Sequence, residues 1–284
     1  METWQLLTAA SVLGLSTSVL LQRVLLRDKK TDPFAYAVIF QGLVGVLLMA
    51  VALVVGFKLP GIEAVWAPAL LSVVLYAFGH IAYAKTLQRV EASAFAVLFA
   101  TQAVWIMALG IILFNESLTL LQVIGTALIF AAVLLLVKNL RSLRLDSGTL
   151  YGLLSGLLFG VAITAWSHVG RHTDTLSWAA ISFLVTAIFT FFIRPSSRHN
   201  FAPLLKRVML TRLTVMAIFY GLGSLAMLYA YKEGTFTVVT PLRQTGIIVT
   251  TLLALAFLPV ERNRIARKIA AAIICLTGVL LIVT

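Results

Sequence analysis

One arginine, Arg243, lies inside an otherwise uncharged apolar segment of the chain. It follows the nearest preceding charge, Glu233, by ten residues, which is roughly 15 Å along a helix. Ionisable groups at such depth in hydrocarbon are expensive and usually functional. A guanidinium binds a carboxylate or phosphate through parallel hydrogen bonds. Arg243 is therefore a candidate anion site, and the alternative is an arginine that snorkels to the interface or pairs with carbonyls.

Pro241 lies two residues before Arg243. Proline lacks a backbone N–H and kinks or unwinds a helix interior. Broken helices near the membrane midplane hold anions in several transporter folds. The sequence therefore predicts a helix break beside the arginine.

A second set of polar side chains is predicted on one helix face, because Tyr76, His80 and Tyr83 are spaced i, i+4 and i+7. This face is too polar for lipid, and a histidine there can bind a ligand or titrate. A hydrogen-bonded packing histidine is the alternative. Further polar or aromatic residues on other apolar segments are candidates to line a ligand pocket with this face, although any one of them alone would indicate interhelical packing. These residues are Gln102, Trp105, Thr164 and Tyr231.

Several other chemistries find little support. His168 and His172 have the spacing of metal-binding helices, but Val169 stands where such motifs carry glutamate, so we predict no metal. The single cysteine, Cys275, excludes disulfides and cysteine clusters. No glycine-rich phosphate loop is present, and we expect neither ATP hydrolysis nor a cofactor.

Membrane-spanning helices must position these residues. The chain is 61% hydrophobic and 11% charged, whereas soluble domains average about 25% charged residues. An apolar window of about 20 residues is long enough to cross the hydrocarbon. The sequence contains ten such windows, and Arg243 is the only charged residue within any of them. The sequence thus predicts an all-α membrane protein with ten transmembrane helices, the last beginning near Ile265. The windows are 3–22, 33–57, 64–84, 92–115, 117–137, 147–170, 175–193, 213–231, 234–260 and 269–284.

The basic residues alternate from loop to loop. Eighteen of the 22 Lys and Arg residues follow odd-numbered windows, and the even-numbered loops carry only Lys58, Arg171 and Lys232. Positively charged loops remain in the cytoplasm, which predicts cytoplasmic odd loops and both termini outside a cell inner (plasma) membrane. The net charge of +12 is then explained by basic loops that contact membrane lipids. We therefore expect no nucleic-acid partner.

The two halves of the chain resemble one another. A shift of 146 residues aligns Gly14 with Gly160, and a shift of 145 aligns Glu116 with Glu261. We expect both glutamates to cap or tether helix junctions. Each half holds five helices, an odd number, so the halves insert in opposite directions as inverted repeats. Chance similarity between Leu-, Ala- and Gly-rich helices is the alternative.

The chain resembles the drug/metabolite transporter superfamily, and within it the EamA type with two five-helix domains. The resemblance rests on Glu116, Glu261, Gly125 and the stretch 241–245, Pro-Leu-Arg-Gln-Thr, which is similar to a Pro-Leu-Arg-Glu-Thr-Ser stretch of bacterial members. The second half departs from the pattern, with Ala270 where the first has Gly125.

This resemblance implies one EamA-like repeat over residues 1–138 and a second over 146–284. It also implies a central cavity lined by the first, third, fourth, sixth, eighth and ninth helices. Many members have cytoplasmic termini, whereas the loop charges here favour external termini.

These features predict a secondary transporter, and no enzyme, that moves a small anionic or zwitterionic metabolite, such as an amino-acid-like or carboxylate compound, by alternating access. No window has a carboxylate near its middle, which argues against cation export of the kind that small multidrug members perform with a membrane glutamate. Arg243 would bind the anionic group of the substrate. The other candidates would shape the pocket and are His80, Tyr83, Gln102, Trp105, Tyr231, Tyr76 and Thr164.

Two alternatives remain at this stage. A lipid-carrier flippase of the same superfamily would need an opening between helices, and a membrane-embedded enzyme acting on lipid would need converging catalytic groups. A chain that holds both repeats can work as a monomer, and a homodimer is also compatible with the sequence.

Overall fold

The computed structural model describes residues 2–26, 31–89, 92–136, 147–257 and 265–283. Within them the chain forms ten long helices, one short helix (α8) and a 3₁₀ helix at Pro195–Asn200, and no strand. The helices are α1 (Thr3–Leu26), α2 (Pro33–Val55), α3 (Trp66–Leu87), α4 (Ala92–Phe114), α5 (Leu120–Leu136), α6 (Ser147–His172), α7 (Thr175–Ile193), α8 (Ala202–Leu205), α9 (Arg207–Glu233), α10 (Phe236–Phe257) and α11 (Ile265–Val283).

The ten long helices coincide with the ten apolar windows, so the predicted all-α, ten-helix membrane fold is confirmed. The helix in the eighth window, α9, is longer than predicted, because it begins at Arg207. The last helix, α11, begins at Ile265, as expected. Within the described ranges, six helices are each long and apolar enough to span a bilayer, namely α1, α2, α3, α6, α7 and α9. Shorter apolar stretches lie in α4, α5 and α11.

Two aspartates begin corresponding helices of the two halves. Asp32 accepts hydrogen bonds from the backbone N–H groups of Phe34 and Ala35 at the start of α2. Asp174 accepts one from Ser177 at the start of α7. Each carboxylate thereby satisfies donors that have no partner within the helix.

The closest helix packing joins the two halves. α1 packs on α9 and α10, α6 packs on α3 and α4, α2 packs on α7, and α5 packs on α11. Small residues allow these backbones to approach. A Cβ atom on Gly14 of α1 would lie 3.0 Å from the Cα atom of Gly223 in α9. The described helices therefore form one interdigitated bundle.

Helix α10 is continuous from Phe236 to Phe257, so the unwinding predicted at Pro241 is absent. Pro241 stands six residues into the helix, and its ring therefore faces the carbonyl of Thr237 in the first turn. The N–H of Thr237, which has no acceptor within the helix, donates to the side chain of Glu116, and this bond helps to hold the first turn in place. The prediction that Glu116 caps a helix junction is confirmed, and Glu261 lies outside the described residues.

We call the face that carries residues 56–65, 115–119, 173–174 and 234–235 the even side, because the connections after the even-numbered windows lie there. The opposite face is the odd side. Successive spanning helices run in opposite directions between these two faces.

Candidate functional site

A cavity of about 130 Å³ lies between the two halves of the bundle. Its walls are formed by α1, α3, α4, α6, α9 and α10, with Phe183 of α7 at one point. On α1, α3 and α4 the lining residues extend from the middle of the helix towards the odd side. The cavity therefore extends from the centre of the bundle towards the odd side, where most of the basic loop residues lie.

Arg243 of α10 supplies a positive charge to the cavity. Its Nη1 donates a hydrogen bond to the hydroxyl of Tyr231 at 3.2 Å, and its guanidinium carbon lies 6.0 Å from the centre of that ring. No carboxylate stands among the described residues that line the cavity. The guanidinium has five N–H donors, so donors beyond those used by Tyr231 remain for an anion.

Aromatic rings form the wall contributed by α3 and α6. Phe159 of α6 contacts His80 edge-to-face at 4.9 Å between ring centres, and it contacts Tyr76 at 5.6 Å and Tyr83 at 6.0 Å in similar geometry. Gly79 brings α3 close to this ring, because a Cβ atom there would lie 3.2 Å from Phe159. The cavity thus combines one charged group with a largely aromatic wall, as ligand pockets commonly do.

Two buried polar atoms on the cavity lining lack a hydrogen-bond partner among the residues that the structure describes. They are Nε2 of His80 and Oε1 of Gln102. Buried polar atoms are almost always paired with protein or water. An unpaired donor or acceptor beside a cavity is consistent with a partner that arrives with a ligand.

The structure brings five of the eight sequence-predicted residues together at the cavity, namely Arg243, His80, Tyr83, Gln102 and Tyr76. The other three do not line it. Their substrate contacts, like those of the five, stay predictions.

Trp105 and Thr164 are turned away by helix geometry. Trp105 is 43% exposed, and its base packs at the α4–α6 contact, where a Cβ atom on Gly160 would lie 2.6 Å from the Cβ atom of Trp105. It stands six residues after the lining residue Phe99 and is turned about 120° from it around the helix. Thr164 directly follows the lining residue Ile163, and its hydroxyl donates to the carbonyl of Gly160. Sequence spacing carries no signal for which face of α4 or α6 looks inward.

Tyr231 is fully buried and stands behind Arg243. Its hydroxyl accepts from Arg243 and lies 3.0 Å from the hydroxyl oxygen of Thr240. The described contacts therefore assign it to the support of Arg243 and not to the cavity surface.

Several lining residues were not among the eight predicted site residues. Gln22, Tyr220 and Ser224 carry a weak signal as polar groups in apolar helices, and Gln244 adjoins Arg243. Phe159 carries none, because a phenylalanine in an apolar helix is equally expected against lipid. Apolar lining can be recognised only once the helix faces are known.

Comparisons with known proteins agree with this architecture. The model of the EamA-like transporter family matches the chain twice, at residues 2–138 and 146–284. No curated protein matches significantly. Twenty-nine chains of solved structures match, including one described as "Crystal structure of protein", with a TM-score of 0.70 and 14% identity, covering 98% of this chain and 95% of the other. At that identity the likeness shows the fold alone.

Proposed function

The chain belongs to the EamA-like transporter family, and we propose that it carries a small anionic or zwitterionic metabolite across the cytoplasmic membrane by alternating access. The fold has two inverted five-helix repeats, and the cavity lies between them. Rocking of inverted repeats about a central site is a general transport mechanism, and this placement supports it here.

The observation that carries the choice of substrate charge is the position of Arg243. Its guanidinium faces a cavity whose described lining contains no carboxylate. A cation bound there would be repelled, whereas a carboxylate or phosphate could take two parallel hydrogen bonds. The unpaired Nε2 of His80 and Oε1 of Gln102 would supply further polar contacts, such as to the ammonium of a zwitterion.

The size of the cavity favours a small solute. The volume of about 130 Å³ is below the roughly 300–1,000 Å³ typical of pockets for drug-sized ligands. The walls come from one chain, so a monomer would suffice for transport.

The greater number of basic residues on the odd side supports an orientation with odd loops in the cytoplasm, since the even-numbered loops carry only Lys58, Arg171 and Lys232. Lys85 lies 4.8 Å from the ring centre of Tyr151 and Arg194 lies 5.2 Å from that of Phe34, so both cations sit against aromatic rings at helix ends. Cationic and aromatic side chains are typical of the membrane interface, and cations favour the cytoplasmic face.

Transport assays in proteoliposomes test the proposal. The purified chain is reconstituted, and uptake is measured across a panel of radiolabelled carboxylates, amino acids, phosphate esters and organic cations. We expect uptake of anionic or zwitterionic members. Arg243→Gln should reduce their apparent affinity about 10- to 100-fold, because a charge-assisted hydrogen bond contributes about 1.5–3 kcal/mol.

Arg212→Gln is the matched control, because Arg212 is an exposed residue on the odd-side part of α9. It removes the same charge away from the cavity and should leave uptake unchanged. Size-exclusion elution and unfolding temperature verify that both variants are folded. Undiminished anion uptake by folded Arg243→Gln, or uptake restricted to cations, would contradict the proposal.

A further inference from the structure

Glu116 joins the two halves of the protein at the even side. Its carboxylate is 7% exposed and accepts hydrogen bonds from the backbone N–H groups of Phe236 at 2.9 Å and Thr237 at 2.8 Å. These N–H groups open α10 and have no helical acceptor, and the positive end of the helix favours a carboxylate. A residue of the first half thus holds the start of the helix that carries Arg243.

Arg171, at the end of α6, binds backbone carbonyls at the α9–α10 connection, which precede the N–H groups that Glu116 binds. Its Nε donates to the carbonyl of Tyr231 at 2.7 Å and its Nη2 to that of Gly234 at 2.9 Å. Nη2 also lies 3.9 Å from Oε1 of Glu116. The guanidinium carbon lies 4.4 Å from the ring centre of Phe236. Arg171 and Glu116 together fix the α9–α10 connection to α4 and α6, and we call these two residues the Glu116–Arg171 pair.

Buried apolar side chains are packed between this pair and the cavity. Phe236 and Val239 of α10, Ile106 of α4 and Val169 of α6 are completely buried. Ile106 is informative, because it stands seven residues after the lining residue Phe99 and hence on the same helix face, nearer the even side. It does not line the cavity. A path that leads from the Glu116–Arg171 pair to the cavity would have to pass these side chains.

Tyr231 connects the pair to the cavity. Its carbonyl oxygen accepts from Arg171, and its hydroxyl accepts from Arg243. A ligand that draws the Arg243 guanidinium towards itself therefore competes with the Tyr231 hydroxyl, at the residue that Arg171 holds by its backbone.

We propose that the Glu116–Arg171 pair is the gate that closes the even side of the cavity, and that Tyr231 transmits the position of Arg243 to it. This inference rests on the proposed transport function. Opening the even side requires the start of α10 to move away from α4 and α6. That movement breaks the hydrogen bonds of Glu116 and Arg171 and exposes the path past Ile106.

Cysteine labelling tests the gate without a substrate. Cys275 is the sole cysteine, so Cys275→Ser gives a cysteine-free background. Ile106→Cys then introduces a reporter thiol in the closed path. Lys58→Cys, an exposed even-side position, identifies which preparation, intact cells or inverted membrane vesicles, presents that side to an impermeant maleimide. In that preparation the reporter thiol of Ile106→Cys should react slowly in an otherwise unchanged chain.

Glu116→Ala should increase the labelling rate of the reporter thiol at least tenfold. Glu63→Ala is the matched control, because it removes an exposed even-side carboxylate, and it should leave the rate unchanged. Where Glu116→Ala does not fold, by size-exclusion elution, Glu116→Gln serves. It keeps an amide oxygen as acceptor but loses the charge facing Arg171, and the rate should rise several-fold. An unchanged rate in a folded Glu116 variant overturns the gate.

Tyr231→Phe tests the connection to the cavity. It keeps the ring and the backbone carbonyl and removes the hydroxyl alone. Tyr231→Phe and Arg243→Gln remove the same hydrogen bond, so each should raise labelling of the reporter thiol several-fold, and the double variant should match either single one. Rates that stay unchanged, or that multiply in the double variant, overturn the role of Tyr231. Transport by Arg243→Gln bears on the proposed function alone, because the labelling assay needs no transported substrate.

Discussion

Gly125 of α5 and Gly278 of α11 face one another across the two halves, and each carbonyl oxygen stands 2.6 Å from where a Cβ atom on the other residue would lie. The two helices also form a separate apolar cluster that includes Ile129 and Ala271. Ala270 occupies the position in the second half that corresponds to Gly125, yet Gly278 makes the contact. The closest approach of α5 and α11 thus depends on two glycines that do not occupy equivalent positions in the two repeats.

Gly278→Ala should lower the free energy of unfolding by about 1–3 kcal/mol, the usual cost of overpacking. The added methyl would meet the backbone of Gly125 and, at 2.9 Å, the side chain of Ile129. Gly42→Ala is the matched control, because its Cβ would make an ordinary 3.9 Å contact with Ala187. Unfolding followed by tryptophan fluorescence in detergent should show a loss for Gly278→Ala alone, and an equal response of both variants would contradict the argument.

Gln102→Leu and Trp105→Leu should differ in transport. Gln102 lines the cavity with an unpaired Oε1, whereas Trp105 is turned outward on the same helix. We expect Gln102→Leu to weaken apparent substrate affinity about tenfold, equivalent to one hydrogen bond of about 1.4 kcal/mol. Trp105→Leu should leave it within about twofold. The assay is concentration-dependent uptake, and a larger effect of Trp105→Leu would show that its outward orientation is not the transporting one.

His80→Phe separates the two interpretations of the histidine. Its Nε2 is buried without a partner among the described residues, so a ring of similar shape without nitrogen should stabilise the fold by up to about 1–3 kcal/mol. A role in substrate binding predicts that transport falls at least tenfold in the same variant. Unfolding and uptake are measured in parallel. Transport unchanged in a stabilised protein would leave His80 a packing residue.

Asp174→Ala should destabilise the start of α7 by about 1 kcal/mol, the usual value for loss of a helix cap. Burial raises the pKa of Asp174, but the hydrogen bonds from Ser177 and the charges of Lys58 and Lys232 outweigh it and leave the pKa below its usual value of 3.8. A lowered pKa in the folded state means that the ionised carboxylate stabilises the protein above the unfolded pKa and loses this effect as pH falls.

The difference in unfolding temperature between the wild type and Asp174→Ala should therefore be constant near neutral pH and shrink below about pH 4. Thr173→Ala provides a control at the neighbouring residue. A difference that grows as the pH falls would contradict this account of the cap.

The fold was predictable because a spanning helix needs only length and the absence of charge, and both are properties of composition. Arg243 was recognisable for the same reason, since one charge within an apolar segment has few structural explanations. The inward faces were not predictable from such segments. Trp105 and Phe159 look alike in sequence, and only packing determines that one faces outward and the other faces His80.

The cap of Glu116 on α10 shows a different limit. The sequence indicated that this glutamate stands at a helix junction, but its partners lie 120 and 121 positions along the chain. The matching Thr-Asp pairs at 31–32 and 173–174 did carry a local signal of repeat-related helix starts. Contacts between distant segments follow from the inverted arrangement of the halves, which no local pattern encodes.

The pairing of helices across the halves has a consequence for biogenesis. α1, α2 and α5 leave the ribosome long before their partners α9, α7 and α11 are made, so the first half must wait in the bilayer with its packing faces against lipid. Two separately synthesised halves that meet in one membrane should recombine into the complete bundle, since each already carries the surface that the other lacks.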